Sequence, residues 1–377
     1  MIAAGHICLD ITPVFPTGKT CRKPEELLIP GKLLRTEAAD VHTGGSVANT
    51  GLALKLLGND VTLLGKVGND DFGRMIAQIL KQYGAGGLVT DPESSTSYSV
   101  VLAIPGIDRI FLHHPGANDT FGSEDVPEKS LEDAVLFHFG YPPIMRRMYE
   151  NEGEELAAIF RRVKAYGIAT SLDLAAVDAD TDAGRADWKR ILEKVLPDVD
   201  FFLPSFEELC FMLEPEKYSR LNEAGGDMTE RLDPVKDVEP LLDRLMNMGC
   251  KTAVIKCGKA GMVWRTADEQ RLRLTGDRLK LDTACWAGKQ GIQPCFKADV
   301  VRSATGAGDT SIAAFLTAVL EGRNPETCVA LAAAEGACAV TSYDALGGLR
   351  PLAELEQRIR NGWETIQGGT ENACQYE

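Results

Sequence analysis

The chain has 377 residues, which is enough for one large α/β domain or two modest ones. Its 44% hydrophobic and 25% charged residues are typical of a globular protein with a full core. The formal net charge of -15 argues against general binding to nucleic acid or to membrane surfaces, because both favour basic faces. A nucleotide ligand is compatible with this charge, since a phosphate site needs only local N–H dipoles.

The ten cysteines are scattered and form no C-x-x-C pair, which is typical of reduced cysteines in a cytoplasmic protein. No stretch resembles a transmembrane span or a signal peptide. We therefore predict a cytoplasmic protein that binds neither nucleic acid nor a membrane.

Short apolar runs alternate with helical patterns over most of the chain. The predicted strands are Ile2–Leu9, Val61–Val67, Ala134–Phe139, Ala169–Leu174, Phe201–Leu203, Ala253–Lys256 and Gly261–Trp264. The predicted helices are Ser46–Leu57, Phe72–Tyr83, Glu154–Tyr166, Trp188–Leu196, Phe206–Leu213, Val238–Met248, Thr310–Leu320 and Pro325–Thr341. This alternation predicts a mostly parallel sheet with helices on both faces, in which ligands bind at the carboxyl ends of the strands.

Four stretches depart from the alternation. Residues 32–43 and 97–114 resemble extended strands with turns. We predict that these two form a small separate sheet, acting either as a lid over the main domain or as a dimer contact. Residues 214–237 and 266–298 are irregular and rich in charge, Gly and Pro, and we interpret them as surface insertions.

Two further stretches are interpreted as carrying no site. Residues 17–20 read Thr-Gly-Lys-Thr, like the end of a P-loop, but Pro13 takes the place of the required first glycine. The match is interpreted as chance. We predict one domain over residues 1–365 and a disordered tail over residues 366–377.

Polar residues near the N-terminal end are candidates for binding hydroxyl groups. Asp10 follows the first apolar run, where a carboxylate can accept hydrogen bonds from two sugar hydroxyls or simply cap a turn. Gly44 and Gly45 precede a predicted helix that carries Asn49 on its first turn. Two glycines let the backbone approach a ligand, and Asn49 can donate and accept hydrogen bonds. The alternative is a turn followed by Ser46 as an N-cap.

The segment Thr305-Gly306-Ala307-Gly308-Asp309 precedes a helix rich in small residues. Its small residues let successive N–H groups point into one concavity, and the helix adds its positive N-terminal end, which together predict an anion site. A carboxylate at Asp309 is suited to take a proton from a hydroxyl while a phosphoryl group is held beside it. An N-cap aspartate is the alternative. We favour the first interpretation, which predicts a small-molecule kinase.

In this order, the motifs resemble those of the ribokinase-type (PfkB) carbohydrate kinase family, over about residues 1–349. The N-terminal signature is similar to residues 44–49 (Gly-Gly-Ser-Val-Ala-Asn), followed by Leu-Leu-Gly at 56–58 and by residues 65–73. The C-terminal signature is similar to residues 305–309 with Ala-Ala-Phe at 313–315. Two long signatures about 240 residues apart are far more specific together than either alone.

The resemblance implies a Rossmann-like three-layer αβα sandwich with a small β-sheet lid, and in many members a homodimer through the lid. It also implies transfer of the ATP γ-phosphoryl group to a hydroxyl of a small sugar-like substrate, with Mg2+ and, in many relatives, a monovalent cation. The residues it assigns to catalysis are Asp309 as the base and Gly306, Ala307 and Gly308 as the anion hole. The residues it assigns to the sugar are Asp10, Gly44, Gly45 and Asn49. The residues it assigns to ATP are Ser205, Lys256, Gly258, Gly261 and Thr305, with Glu208 ordering water around the metal.

Two positions depart from the family pattern. Ser303 stands where an aspartate is usual, three residues before the first glycine of the C-terminal signature. Ser205 stands where an Asn-x-x-Glu motif has its asparagine. A hydroxyl can still bond a phosphate or a metal-bound water, although it reaches less far than an amide. These departures are the only support for a sensing protein that binds sugar or nucleotide without turnover.

The identity of the acceptor is left open by the sequence. A sugar acid or a sugar phosphate would need a cation over the site, and a nucleoside would need an apolar or aromatic pocket. The candidate cations are Arg109, His113 and His114. The candidate aromatic residues are Phe15, Phe111 and Tyr98. We rank a neutral sugar or sugar acid first and a nucleoside second, and a Rossmann oxidoreductase is set aside because G-x-G-x-x-G is absent after the first strand.

Overall fold

An eight-stranded sheet lies at the centre of the computed structural model, which describes residues 1–16, 20–107, 109–223 and 228–366. The P-loop-like residues 17–19, and the predicted tail from residue 367 onward, lie outside the described residues. None of the helices within the described ranges combines the length and the apolar character needed to cross a membrane.

The strands, in chain order, are β1 Ile2–Gly5, β2 Cys8–Thr12, β3 Asp40–Gly44, β4 Thr62–Leu64, β5 Lys66–Gly68, β6 Val89–Asp91, β7 Tyr98–Leu102, β8 Ile110–His114, β9 Leu136–Gly140, β10 Ala169–Leu172, β11 Phe201–Phe202, β12 Thr252–Lys256, β13 Met262–Thr266 and β14 Gln290–Gln293. The helices are α1 Ser46–Leu56, α2 Asp71–Gln82, α3 Glu128–Glu132, α4 Arg146–Tyr149, α5 Glu154–Ala165, α6 Asp182–Arg185, α7 Trp188–Val195, α8 Phe206–Leu213, α9 Pro215–Glu223, α10 Glu239–Asn247, α11 Glu269–Leu272, α12 Thr283–Trp286, α13 Ala307–Leu320, α14 Pro325–Ala339 and α15 Leu352–Arg360.

The main sheet has the order β14-β13-β12-β11-β10-β9-β1-β4. The six strands from β12 to β4 are parallel, and β13 and β14 pair antiparallel at one edge. Strands buried on both faces are expected to read as continuous apolar runs, and β1, β9 and β10 are buried at every position. Successive strand residues point to opposite faces.

One core lies on each face of the main sheet. The first core includes α1, α13 and α14, and the second includes α5, α7, α8 and α10. Helices on both faces of a mostly parallel sheet confirm the predicted α/β class and its three-layer αβα architecture.

The small sheet has the order β3-β2-β7-β8 and stands apart from the main sheet. Residues 97–114 supply β7 and β8, whereas the stretch 32–43 becomes a strand only from Asp40 onward. The predicted single strand Ile2–Leu9 is wrong, because it divides into β1 in the main sheet and β2 in the small sheet. The division falls at Gly5, where φ is +124° and a Cβ would lie 2.2 Å from the carbonyl oxygen of Gly140.

The interpretation of residues 266–298 as a surface insertion is wrong in part. Strand β14 extends the main sheet by pairing with β13. Trp286 is 1% exposed and packs edge-on against Phe201 and Phe315, with ring centroids 5.8 and 6.4 Å away. The segment is irregular along the chain, but its apolar residues complete the first core. Its composition therefore wrongly indicated a surface position.

Candidate active site

The parallel strands of the main sheet bring polar side chains to one edge, because their carboxyl ends lie side by side. The residues that follow β1, β9, β10, β11 and β12, or end them, are His6, Tyr141, Asp173, Ser205 and Lys256. The N-terminal end of α13, which carries Asp309, meets the same edge through contacts to Tyr141 and Lys256.

The carboxylate of Asp309 is 3% exposed and accepts hydrogen bonds from three side chains. The hydroxyl of Thr50 donates to Oδ1 over 2.8 Å. The phenol of Tyr141 donates to Oδ2 over 2.8 Å, and the amide of Asn49 donates to the same oxygen over 3.1 Å. These donors come from α1 and from the end of β9, so parts of the chain far apart in sequence fix the orientation of one carboxylate.

Tyr141 has a backbone conformation that non-glycine residues adopt at a cost. Its φ is +65° and ψ +40°, in the left-handed region. Such strain is found most often at functional sites. Burial, followed by the charge of Asp309, raises the pKa of the Tyr141 phenol well above its usual value. The phenol therefore stays a neutral hydrogen-bond donor at physiological pH.

Gly306, Ala307 and Gly308 lie at the start of α13 and are the residues of the predicted anion hole, so we call them, together with Thr305, the anion loop. Gly306 has φ +72°, and a Cβ there would lie 2.3 Å from that of Ala345, so only glycine fits. A Cβ on Gly308 would instead meet Lys256 alone, with Cε and Nζ both at 3.7 Å. The N–H of Ala307 donates to the carbonyl of Ala304 over 3.3 Å, a long bond. The first turn of α13 thus faces the ammonium group of Lys256.

Lys256 is held in place by a buried ion pair. Its Nζ lies 2.8 Å from Oδ1 of Asp173 and donates to the carbonyl of Leu203 over 2.6 Å. Burial raises the pKa of Asp173 to about 7, although Lys256 opposes this change. Burial alone would lower the pKa of Lys256, but the carboxylates of Asp173 and Glu208 outweigh it and the pKa is raised. A positive charge therefore lies beneath the anion loop.

Ser205 and Glu208 form a capping box at the start of α8. The N–H of Ser205 donates to Oε2 of Glu208 over 2.7 Å, and the N–H of Glu208 donates to Oγ of Ser205 over 3.2 Å. The departure at Ser205 thus has a structural use, since serine is a good N-cap. The other carboxylate oxygen of Glu208, Oε1, does not take part in the capping box.

The oxygen donors at this edge fit Mg2+. Mg2+ is usually held by one or two carboxylates together with substrate phosphates, and it keeps several waters. Asp173 and Glu208 supply such carboxylates beside the anion loop. Within the described ranges, no cluster of three or more His, Cys, Asp or Glu side chains could hold a metal by itself. A metal here would depend on the phosphates of the nucleotide.

Gly258 and Gly261 form the turn between β12 and β13. Both have positive φ, +52° and +91°. A Cβ on Gly261 would lie 2.0 Å from the carbonyl oxygen of Gln293, and one on Gly258 would lie 2.5 Å from Oγ1 of Thr229. Chain packing is enough to explain both glycines, and their contact with a nucleotide stays a prediction.

Asp10 lies in the middle of β2, so its predicted place at the end of the first strand is wrong. It still reaches the glycine pair, because a Cβ on Gly44 would lie 2.1 Å from Oδ2 of Asp10. The thiol of Cys8 donates to Oδ1 over 3.2 Å, and burial raises the pKa of Asp10. Gly45 has φ +85° and would place a Cβ 2.5 Å from Nδ1 of His6.

Arg109 joins the small sheet to the anion loop. Its guanidinium donates to the hydroxyl of Thr305. The hydroxyls of Ser303 and Thr305 lie 2.7 Å apart, and the N–H of Thr305 donates to Oγ of Ser303 over 3.1 Å. Ser303, the second departure from the family pattern, therefore supports the side chain that Arg109 contacts.

The other candidates for acceptor binding are brought together in pairs, with the rings of Tyr98 and His114 5.5 Å apart and the guanidinium of Arg109 5.7 Å from the centre of the Phe111 ring. Burial, followed by the charge of His114, lowers the pKa of His113, so His113 is not the cation that was predicted. His114 lies within 2.8 Å of Oγ of Ser95, on the opposite side of β8. Tyr98 packs against Phe72, and Phe111 is 56% exposed. Among the described residues no ring contact joins the three predicted aromatic residues.

Four residues of the site were not predicted: Thr50, Tyr141, Asp173 and His6. Asp173 is an aspartate that directly follows an apolar strand. The same signal led to the prediction of Asp10, so it could have identified Asp173. Thr50 is adjacent to Asn49 on the first turn of α1. Tyr141 and His6 carry no such local signal, because strand pairing alone brings them to the edge.

The chain matches a protein-family model over most of its length. The model described as pfkB family carbohydrate kinase matches residues 19–350.

Individual relatives are more distant. Fructokinase-1 of Oryza sativa subsp. japonica is 33% identical over 144 residues, 37% of this chain and 41% of that protein. Fructokinase-1 of Zea mays is 27% identical over a stretch of the same length and coverage. The chain thus matches about two fifths of the length of these two relatives. Probable fructokinase-7 of Arabidopsis thaliana is 25% identical over 328 residues, 84% of this chain and 83% of that protein.

Solved structures resemble the whole fold. A fructokinase with bound ATP from Xylella fastidiosa has a TM-score of 0.69 at 21% identity, covering 96% of this chain and 98% of that one. Arabidopsis thaliana ribokinase complexed with ribose and ATP has a TM-score of 0.66 at 18% identity, covering 94% and 97%. At these identities the likeness shows a shared fold.

Proposed function

The chain belongs to the pfkB family of carbohydrate kinases, and from this we propose that it transfers the γ-phosphoryl group of ATP to a hydroxyl of a small sugar or sugar acid. The fructokinase and ribokinase relatives support ATP as the donor, since two of the related structures are described with ATP. The observation that carries the proposal is the buried Asp309 carboxylate, fixed by Thr50, Tyr141 and Asn49 beside the anion loop.

In the proposed reaction the acceptor hydroxyl gives its proton to Asp309 as its oxygen attacks the γ-phosphorus. The bond from the γ-phosphorus to the β,γ-bridging oxygen breaks, and ADP leaves with the electron pair. Little covalent chemistry is required of the protein, so catalysis is mainly positioning and charge stabilisation. A positioned base contributes about 10²–10⁴-fold to such a step.

The transferred phosphoryl group would lie between the anion loop and Lys256. The N-terminal N–H groups of α13 have no partner within the helix, so they are suited to accept its negative charge. The Lys256 ammonium lies on the same side, next to Gly308. Mg2+, near Asp173 and Glu208, would neutralise part of the phosphate charge when bound.

The small sheet is proposed to cover the acceptor. Asp10, Gly44 and Gly45 line its junction with α1, and Arg109 contacts Thr305 from its β7–β8 hairpin. The small sheet contacts the anion loop and also carries acceptor residues, so it would exclude water from the reaction. Excluding water limits transfer of the phosphoryl group to water.

The test measures magnesium-dependent ADP release over a panel of pentoses, hexoses, sugar acids, polyols and nucleosides. Asp309→Asn should lower turnover by at least about 100-fold while ATP binding, measured by calorimetry, is retained. Asp268→Asn is a matched control, because Asp268 is also an aspartate at the N-terminal end of a helix, α11, but lies outside the site. Turnover retained by Asp309→Asn would refute the assigned base. Sugar binding with no ADP release by the wild type would favour a sensing protein instead.

A further inference from the structure

His6 is buried at the junction between the two sheets, and its ring bonds no protein group among the described residues. Its side chain is 2% exposed, and both ring nitrogens are without a hydrogen-bond partner there. Buried polar atoms are nearly always paired, so an unpaired imidazole at a candidate site indicates a ligand as its partner.

The surroundings of His6 connect the two sides of the site. Its Nδ1 faces Gly45. A side chain at position 45 would clash there, because a Cβ would lie 2.5 Å from this nitrogen. The ring of His113, from the small sheet, lies 5.2 Å away, centroid to centroid. The ring of Tyr141, which donates to Asp309, lies 6.2 Å away. His6 therefore lies close both to the small sheet and to a residue that bonds the proposed base.

The charges around this position disfavour an anion. Asp10 presents a half-buried carboxylate beside the glycine pair. Burial lowers the pKa of His6 well below its usual value and also lowers that of His113, so both rings are neutral. Of the cations near the site, Lys256 pairs with Asp173, and the guanidinium of Arg109 is directed to Thr305 of the anion loop.

We infer that the acceptor is an uncharged sugar, with hydroxyls that bond His6 and Asp10, and that sugar acids and sugar phosphates are poor acceptors. The inference rests on the proposed function and narrows its substrate class. A sugar hydroxyl can donate to an imidazole nitrogen or a carboxylate and can accept from an imidazole N–H, so it satisfies both residues. A carboxylate or phosphate on the acceptor would be buried beside Asp10 without a counterion.

The first test compares acceptors of matched skeleton. We expect kcat/KM for D-fructose to exceed that for 2-keto-D-gluconate and for fructose 6-phosphate, and kcat/KM for D-ribose to exceed that for ribose 1-phosphate, each by about 100-fold or more. A preference for either charged class would overturn the inference and leave the kinase proposal standing. If no acceptor is phosphorylated, the kinase proposal fails. Calorimetry with the same compounds then decides the inference, which survives only if the neutral sugars bind more tightly.

The second test removes the nitrogens of His6. His6→Phe keeps a planar ring, and we expect KM for the best neutral sugar to rise about tenfold, with a smaller change in kcat. His113→Asn is a second variant on the small sheet, with the same expected direction. His114→Phe is the matched control, because His114 lies on the opposite side of β8. Unchanged KM in folded His6→Phe or His113→Asn protein, judged by thermal unfolding, would overturn the assignment.

Discussion

Side chains are held differently on the two sides of the site. On the main-sheet side, Asp309 is buried, Lys256 is half-buried, and each has protein partners at hydrogen-bond distance. On the small-sheet side, the ring nitrogens of His6 have no hydrogen-bond partner among the described residues, and Asp10 is bonded by the hydroxyl of Ser99 and by the thiol of Cys8, a weak donor. The main-sheet side is organised without a ligand, whereas we infer that the small-sheet side is completed by the acceptor.

This difference predicts a division of labour. Preorganised charges stabilise a transition state without reorganising, so changes on the main-sheet side should lower kcat. Groups that form hydrogen bonds only with a bound ligand contribute to substrate affinity and specificity. Changes on the small-sheet side should therefore raise KM or alter specificity. The variants below test that division, from the largest expected effect to the smallest.

Lys256→Met should have the largest effect. It removes the charge beneath the anion loop, and we expect kcat to fall by about 10²–10³-fold. It also leaves Asp173 buried without its partner, which should cost about 3–5 kcal/mol of unfolding free energy at pH 8. The cost should be smaller at pH 6, because burial, no longer opposed by Lys256, raises the pKa of Asp173 further and the acid takes up a proton more readily. Steady-state kinetics measure the loss of kcat, and denaturant unfolding at pH 6 and pH 8 measures the loss of stability.

The double variant Lys256→Met with Asp173→Asn separates the two effects. The neutral amide removes the buried unpaired charge, so we expect stability to be largely restored. Activity should stay low, because the charge beneath the anion loop is still missing. Recovery of kcat with stability would mean that Lys256 acts only by balancing Asp173.

Tyr141→Phe should have an intermediate effect. The variant keeps the ring and removes one of the three donors to Asp309. A hydrogen bond to a charged group is worth about 1.5–3 kcal/mol, so we expect kcat to fall by about 10- to 100-fold with little change in KM. Tyr218→Phe, on α9, is the control. A raised KM with unchanged kcat would place Tyr141 in substrate binding and break the division.

The sequence predicts local pieces well and their juxtaposition poorly. Helix α8 begins and ends where periodicity places it, at Phe206–Leu213. The helix predicted over Thr310–Leu320 ends where α13 ends, but α13 begins nearly one turn earlier, at Ala307, so Asp309 lies in its first turn. The partners of Asp309 were not predicted, since Thr50 and Tyr141 reach it from 259 and 168 residues away. Those contacts depend on strand order, which local patterns do not specify.

The errors have equally specific causes. The strand predicted over Ile2–Leu9 missed a change of sheet at Gly5, and so placed Asp10 at the wrong strand end. The signal was a glycine in an apolar run, which also marks close backbone approach. His113 was predicted as a cation from its residue type, and burial reversed that expectation.

Arg109→Gln tests the connection between the two sides. Losing the guanidinium contact to Thr305 should loosen the small sheet over the acceptor. We expect KM for the acceptor to rise about three- to tenfold and kcat to change less than about twofold. Arg74→Gln, which removes a surface ion pair with Asp71 on α2, is the control. A large loss of kcat at unchanged KM would instead place Arg109 on the transferred phosphoryl group.

Glu335 offers a comparison outside both sides of the site. It lies on α14, which packs closely on α13, since a Cβ on Gly336 would lie 2.6 Å from Oγ of Ser311. Its buried carboxylate accepts from the N–H of Arg350 at 3.2 and 3.3 Å. Burial raises the pKa of Glu335 from 4.5 to about 8, so the folded protein keeps a proton that the unfolded chain releases.

Glu335→Gln should therefore change the pH dependence of stability and leave kcat and KM within about twofold of the wild type. Between about pH 4.5 and 8 the folded state binds more protons at this residue, so its contribution to the unfolding free energy falls as pH rises. Glutamine cannot titrate, so the variant should match the wild type at pH 5 and exceed its Tm by a few degrees at pH 8.5. Glu216→Gln, at an exposed position of α9, should show no such divergence. Parallel Tm profiles for Glu335→Gln and wild type would mean that the Glu335 carboxyl is already ionised in the folded protein, and a change in kcat would extend the preorganised side of the site into the helices behind it.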